Sequence, residues 1–139
     1  MADPSTPFNW APLESDPEIF TKYFQRVGMS EQFAFQEVFG LDPDLIAMVP
    51  QPVQGLVLVF ERLQEKKPEV ENKGEAKFFM AQTPILDNAC GLIASLHVLG
   101  NKRDSVAITE GSPLETLFTN MAKVETPAEK ATILENFHG

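Results

Sequence analysis

A chain of 139 residues with 43% hydrophobic content and eleven phenylalanines can bury a core, which excludes a disordered chain and fits one domain. A net charge of −9 disfavours nucleic-acid binding, which needs a basic face, and suits a basic protein or peptide better. One cysteine excludes an intramolecular disulfide; MADPSTPFNW lacks the signature of a signal peptide, and VQGLVLVF is too short to span a bilayer. A cytoplasmic protein with no membrane partner is expected, in which a free cysteine persists as a thiol.

In SDPEIFTKYFQRVG, Asp16 can N-cap a helix, Pro17 suits its first position and Gly28 can end it. Ile19, Phe20, Tyr23, Phe24 and Val27 share one face at helical spacing, so that face should pack. FAFQEVFG alternates Phe33, Phe35 and Val38 loosely, which suggests a strand. LDPDLIAMVP predicts a short helix capped by Asp42 and stopped by Pro50. PVQGLVLVF, with Val53 and the run from Leu56 to Phe60, reads as a buried central strand.

Residues 61–77 are charged, carry Pro68 and Gly74, and have little apolar periodicity, so they read as a solvated excursion rather than a domain boundary. The chain turns apolar again in FFMAQTPILDNACGLIASLHVLGN. Pro84 interrupts, Asp87 or Asn88 can cap, and Cys90 to about Leu99 fits a buried helix closed by Gly100. Ser112-Pro113 opens a helix that turns Leu114, Leu117, Phe118 and Met121 inward. Thr126-Pro127 with Glu129 forms a capping box for a last helix burying Ile133, Leu134 and Phe137. Helices mixed with two or three strands make an α+β fold.

Cys90 is the residue most suited to chemistry. A thiolate is the reactive form, and the unpaired N–H groups of a helix N-terminus favour negative charge. Asn88-Ala89-Cys90-Gly91 supplies that setting: Gly91 leaves room for a substrate backbone, and the Cys90 N–H can face a developing oxyanion. On residues alone, a small hydrophobe in a core helix is the commoner role of a free cysteine. No cofactor and no metal site are expected.

Four blocks change that balance: NWAPLESDPEIFTKYFQRVG, FAFQEVFGLDPDLIAMVPQPVQGLVLVF, NACGLIASLH and PAEKATILENF. In order and spacing they resemble the ubiquitin C-terminal hydrolases, from Trp10 to Phe137. The resemblance implies a papain-like cysteine peptidase fold, here incomplete, with helices packed on a partial antiparallel sheet. It implies that Cys90 attacks the carbonyl at the C-terminal glycine of ubiquitin and passes through a thioester. Ubiquitin or ubiquitin-peptide adducts would be the partners, and deubiquitination the process. The family's second oxyanion donor is a glutamine six residues before the cysteine; that position is Pro84, and Gln82 stands eight before, as if two residues were inserted.

A catalytic cysteine also needs a base within hydrogen-bond reach. His97 lies seven residues after Cys90, about 10 Å along a helix axis, and reads as a packing residue. His138 is penultimate. In the family the catalytic His and Asp come later, so residues 1–139 read as one catalytic domain truncated on its C-terminal side. The resulting expectations are an exposed sheet edge through which copies could associate, and, as the alternative to a hydrolase, a non-catalytic ubiquitin-binding protein or inactive fragment.

Overall fold

Asp16 opens the first helix by accepting the Glu18 N–H at 2.8 Å, with Pro17 at its first position. The computed structural model describes residues 8–9, 15–60, 74–83, 85–87 and 89–137, and this helix, α1, spans Pro17–Val27. Gly28 closes it at φ 132°, and the Met29 N–H turns back onto the Phe24 carbonyl at 2.8 Å. The expected inner face forms: Phe24 is wholly buried and Phe20 and Val27 pack around it, while Tyr23 lies at the margin.

The remaining elements are α2 (Pro43–Ile46), α3 (Cys90–Asn101), α4 (Arg103–Val106), α5 (Pro113–Met121) and α6 (Pro127–Glu135). Ser112 caps α5 and Thr126 caps α6, each hydroxyl accepting an N–H three residues on. All four residues expected on the inner face of α5 are buried; on α6 the buried residues are Ala131 and Leu134, with Ile133 and Phe137 packed against the core. Leu92, Ile93, Leu96 and Leu99 of α3 join Phe24, Phe78, Met80, Leu117, Phe118 and Met121 in that core.

Two short strands, β1 (Phe8–Asn9) and β2 (Leu86–Asp87), run parallel, with Phe8 opposite Leu86 and Asn9 opposite Asp87. A single antiparallel bridge joins Met29 to Ile108. The expected partial antiparallel sheet is otherwise absent among the described residues. FAFQEVFG forms neither helix nor strand and pairs with helix side chains: Thr21 Oγ1 accepts the Phe35 N–H at 2.8 Å, and Gln25 Nε2 donates to the Phe33 carbonyl at 3.0 Å. A helix one turn deep thus supplies the backbone partners that a neighbouring strand would have supplied.

Val53–Phe60 departs further from expectation. It has no strand ladder, and Leu56, Leu58 and Val59 are 69%, 73% and 73% exposed. Continuous hydrophobicity marks a buried central strand, but burial requires neighbours on both faces. The described residues supply contact on one side, where Gly55 lies against Val98 of α3.

Gly100 does not close α3, which runs on to Asn101; the glycine is needed inside the helix because a Cβ there would meet the Phe78 ring at 2.6 Å. The short helix α4 was not anticipated. Residues 61–73 of the charged excursion, Pro84, Asn88 and His138 lie outside the described residues, and 74–77 are exposed. Among the described residues no helix is long and apolar enough to cross a membrane.

Candidate functional site

Cys90 occupies the first position of α3 and is exposed, whereas the residues behind it in the helix are core. The amphipathic contrast places the thiol at the surface and anchors its helix beneath. The N-cap is Ala89, which offers no side-chain acceptor, and the first intrahelical bond is from the Ile93 N–H to the Ala89 carbonyl at 2.9 Å. The N–H groups of the first turn therefore have no side-chain cap from that residue, the situation in which a helix end favours an anion.

Gln82 lies on segment 78–83, which is neither helix nor strand, and it is exposed. Its neighbours are held on both sides. The Ala81 N–H donates to the Pro127 carbonyl at 3.1 Å. Thr83 is buried; its hydroxyl donates to the Glu135 carboxylate and accepts the Ile85 N–H at 3.2 Å. Between Thr83 and Cys90, β2 is tied to β1, which steadies the approach to α3. Among the described residues no hydrogen bond joins Gln82 to Cys90.

His97 is committed elsewhere. Its Nδ1 lies 2.8 Å from the Ile93 carbonyl, and its Nε2 is 3.2 Å from the Met80 backbone nitrogen. The Met80 N–H can only donate, so Nε2 must accept and the proton sits on Nδ1, donated to Ile93. Both ring nitrogens are thus occupied in a neutral imidazole. The reading of His97 as a packing residue gains a more specific content: it ties segment 78–83 to α3.

Asn101, one turn further along α3, does the same for Phe78. Its Oδ1 accepts the Phe78 N–H at 3.0 Å, and its Nδ2 donates to the Phe78 carbonyl at 2.9 Å and to the His97 carbonyl at 2.7 Å. Sequence reasoning missed Asn101, Thr83 and Glu135. For Asn101 the available signal was an i,i+4 pair of imidazole and amide on a mostly apolar helix, where a partly buried polar group needs a partner.

Two shallow clefts lie elsewhere, one between α5 and α6 at Asn120, Ile133 and Phe137, and one beside α1 at Lys22, Tyr23 and Glu31. Neither includes Cys90 or Gln82. Among the described residues no group of three or more His, Cys, Asp or Glu side chains is placed to hold a metal ion.

The family described as "Ubiquitin carboxyl-terminal hydrolase, family 1" matches residues 10–139. A ubiquitin carboxyl-terminal hydrolase of Aplysia californica is 35% identical over 131 residues, covering 91% of this chain and 60% of that protein. Ubiquitin carboxyl-terminal hydrolase 3 of Arabidopsis thaliana is 34% identical over 146 residues, covering 97% of this chain and 61% of that protein. A Drosophila melanogaster ubiquitin carboxyl-terminal hydrolase is 33% identical, with 91% and 58% covered. The chain therefore spans about three fifths of the length of these relatives.

Proposed function

The chain belongs to ubiquitin carboxyl-terminal hydrolase family 1, and on that premise we propose that Cys90 is a thiol nucleophile toward the carbonyl of the C-terminal glycine of ubiquitin. The observation that carries this reading is the exposure of Cys90 at the first position of a helix whose remaining inner face is core. Attack by the Cys90 sulfur on the carbonyl carbon forms a tetrahedral oxyanion. The Cys90 N–H and the Gln82 side-chain amide are the candidate donors to it, and removing one such donor costs about 10²–10³ in rate. Collapse expels the amine or alcohol leaving group with a proton and leaves a thioester, which water hydrolyses to the carboxylate and the free thiol.

Proton delivery is the demanding step. His97 is neutral with both nitrogens engaged, so it supplies no base to Cys90. That observation favours a second reading, in which the chain binds ubiquitin without turning it over. The two separate in one experiment: incubation with a ubiquitin bearing a C-terminal thiol-reactive group, beside a Cys90→Ala control. The expected result is a covalent adduct that the control does not form. Reversible binding without an adduct selects the binding reading, and an adduct that persists in Cys90→Ala removes Cys90 from the mechanism.

A further inference from the structure

The contacts between segment 78–83 and α3 have a regular register. Phe78 meets Asn101 and Met80 meets His97, so two residues of the segment advance as four helical residues recede. Two residues of extended chain cover about 6.6 Å, and four helical residues cover about 6.0 Å. The two pitches nearly match, and Phe78 and Met80 meet α3 in antiparallel order. Continued, the register sets residue 82 level with Ile93, three residues and about 4.5 Å of helix axis from Cys90. Side chains at His97 and Asn101, one turn apart, therefore anchor Met80 and Phe78 along α3, while Ala81 and Thr83 are held by α6. Gly100 completes the clasp by admitting the Phe78 ring, which also meets the His97 ring edge-on at 5.8 Å between centroids.

We propose that His97 and Asn101 are positioning residues that set Gln82 beside Cys90; the catalytic meaning of this placement rests on the reading of Gln82 as an oxyanion donor. Neither residue touches substrate. Each replaces a backbone partner that a strand would have offered, and together they fix the segment in distance and in register. The bond from the Met80 N–H to Nε2 requires the Nδ1–H tautomer of His97. The arrangement also explains a histidine at this half-buried position of α3, since a leucine could accept nothing from Met80.

Cys90 is the only cysteine in the chain, so a nitroxide attached there reports on one site. In the full 139-residue chain, the Gln82 side-chain amide should be broadened by that label. His97→Phe keeps a ring but loses the acceptor, and Asn101→Leu loses both bonds to Phe78; each should abolish most of the broadening at Gln82. His97→Gln, which can still accept the Met80 N–H, should retain it. Broadening that is absent in the unsubstituted chain, or equal in all variants, overturns the proposal. Should the variants unfold, the nitrogen shifts of His97 in the unsubstituted chain decide the matter, since a proton on Nε2 overturns the clasp and one on Nδ1 supports it.

The catalytic part is read separately with unlabelled chains and a ubiquitin ending in an aldehyde, whose adduct with Cys90 is tetrahedral. A misplacement of about 1 Å can cost about 10²-fold, and a weakening of that order in His97→Phe, partly restored in His97→Gln, is the expected result. Unchanged affinity in variants that have lost Gln82 proximity overturns the donor role of Gln82. No adduct with the unsubstituted chain overturns the reading of Cys90 as a nucleophile toward ubiquitin, a failure distinct from loss of the clasp.

Discussion

Tyr23 shows how a residue at the margin of the core acquires a pH-dependent role. Its ring meets Phe24 edge-on at 5.1 Å between centroids, yet 37% of the residue remains exposed. Partial burial disfavours the phenolate and raises the phenol above its ordinary range. The unfolded chain then ionises first, near pH 10, while the folded chain retains its proton to higher pH. Any stability tied to Tyr23 is thus fully present below about pH 10 and is lost as pH rises through the folded value. Tyr23 is the only tyrosine, so phenolate absorbance follows it alone. Its titration midpoint should be higher in the native chain than in denaturant. Tyr23→Phe should lose thermal stability less steeply on the alkaline side. Coincident midpoints would show that the ring is solvated in the fold. The lysines deprotonate in both proteins and cancel in the comparison.

At the scale of elements, the joint between α1 and α5 is the most constrained. Gly28 has φ 132°, its carbonyl accepts the Thr109 N–H at 2.8 Å, and a Cβ would come within 2.5 Å of the Ser112 Cβ. Ser112 in turn caps α5 through the Glu115 N–H at 3.2 Å. Gly28→Ala thus adds backbone strain and pushes on the cap of a second helix. It should cost more than about 1 kcal/mol and lower the melting temperature by a few degrees, read by calorimetry beside the parent. An unchanged melting temperature would mean that α5 can shift freely. This glycine was legible in the sequence as a helix stop, as were Asp16, Ser112 and Thr126, because capping is written in adjacent residues. The irregular segments were not. Phe33–Phe35 and Phe78–Met80 take their backbone partners from Thr21, Gln25, His97 and Asn101, and such pairings depend on which helix a segment meets. Cys90 could be placed from its neighbours, whereas the clasp beside it could not.

At the scale of the whole molecule, strong apolar exposure among the described residues falls mostly between Phe39 and Phe60: Phe39, Leu41, Met48, Val53, Leu56, Leu58, Val59 and Phe60 are each more than half exposed, and Phe79 is a further one. Where an exposed sheet edge is expected, residues 56–59 are a largely exposed apolar run that carries no strand among the described residues, and its hazard is hydrophobic contact. A net charge of −9 opposes association of identical chains, and salt screens that repulsion within about 10 Å at 0.1 M. The two effects predict a definite pattern: in sedimentation, the average mass should rise with protein concentration, and rise more at high salt than at low. Leu56→Glu with Leu58→Glu should suppress the rise at every salt concentration. Both side chains are largely solvated, so the melting temperature should stay close to that of the parent. A parent chain that remains monomeric at high salt would show that this apolar run does not drive association. Self-association that persists in the double variant would place the contact elsewhere on the surface.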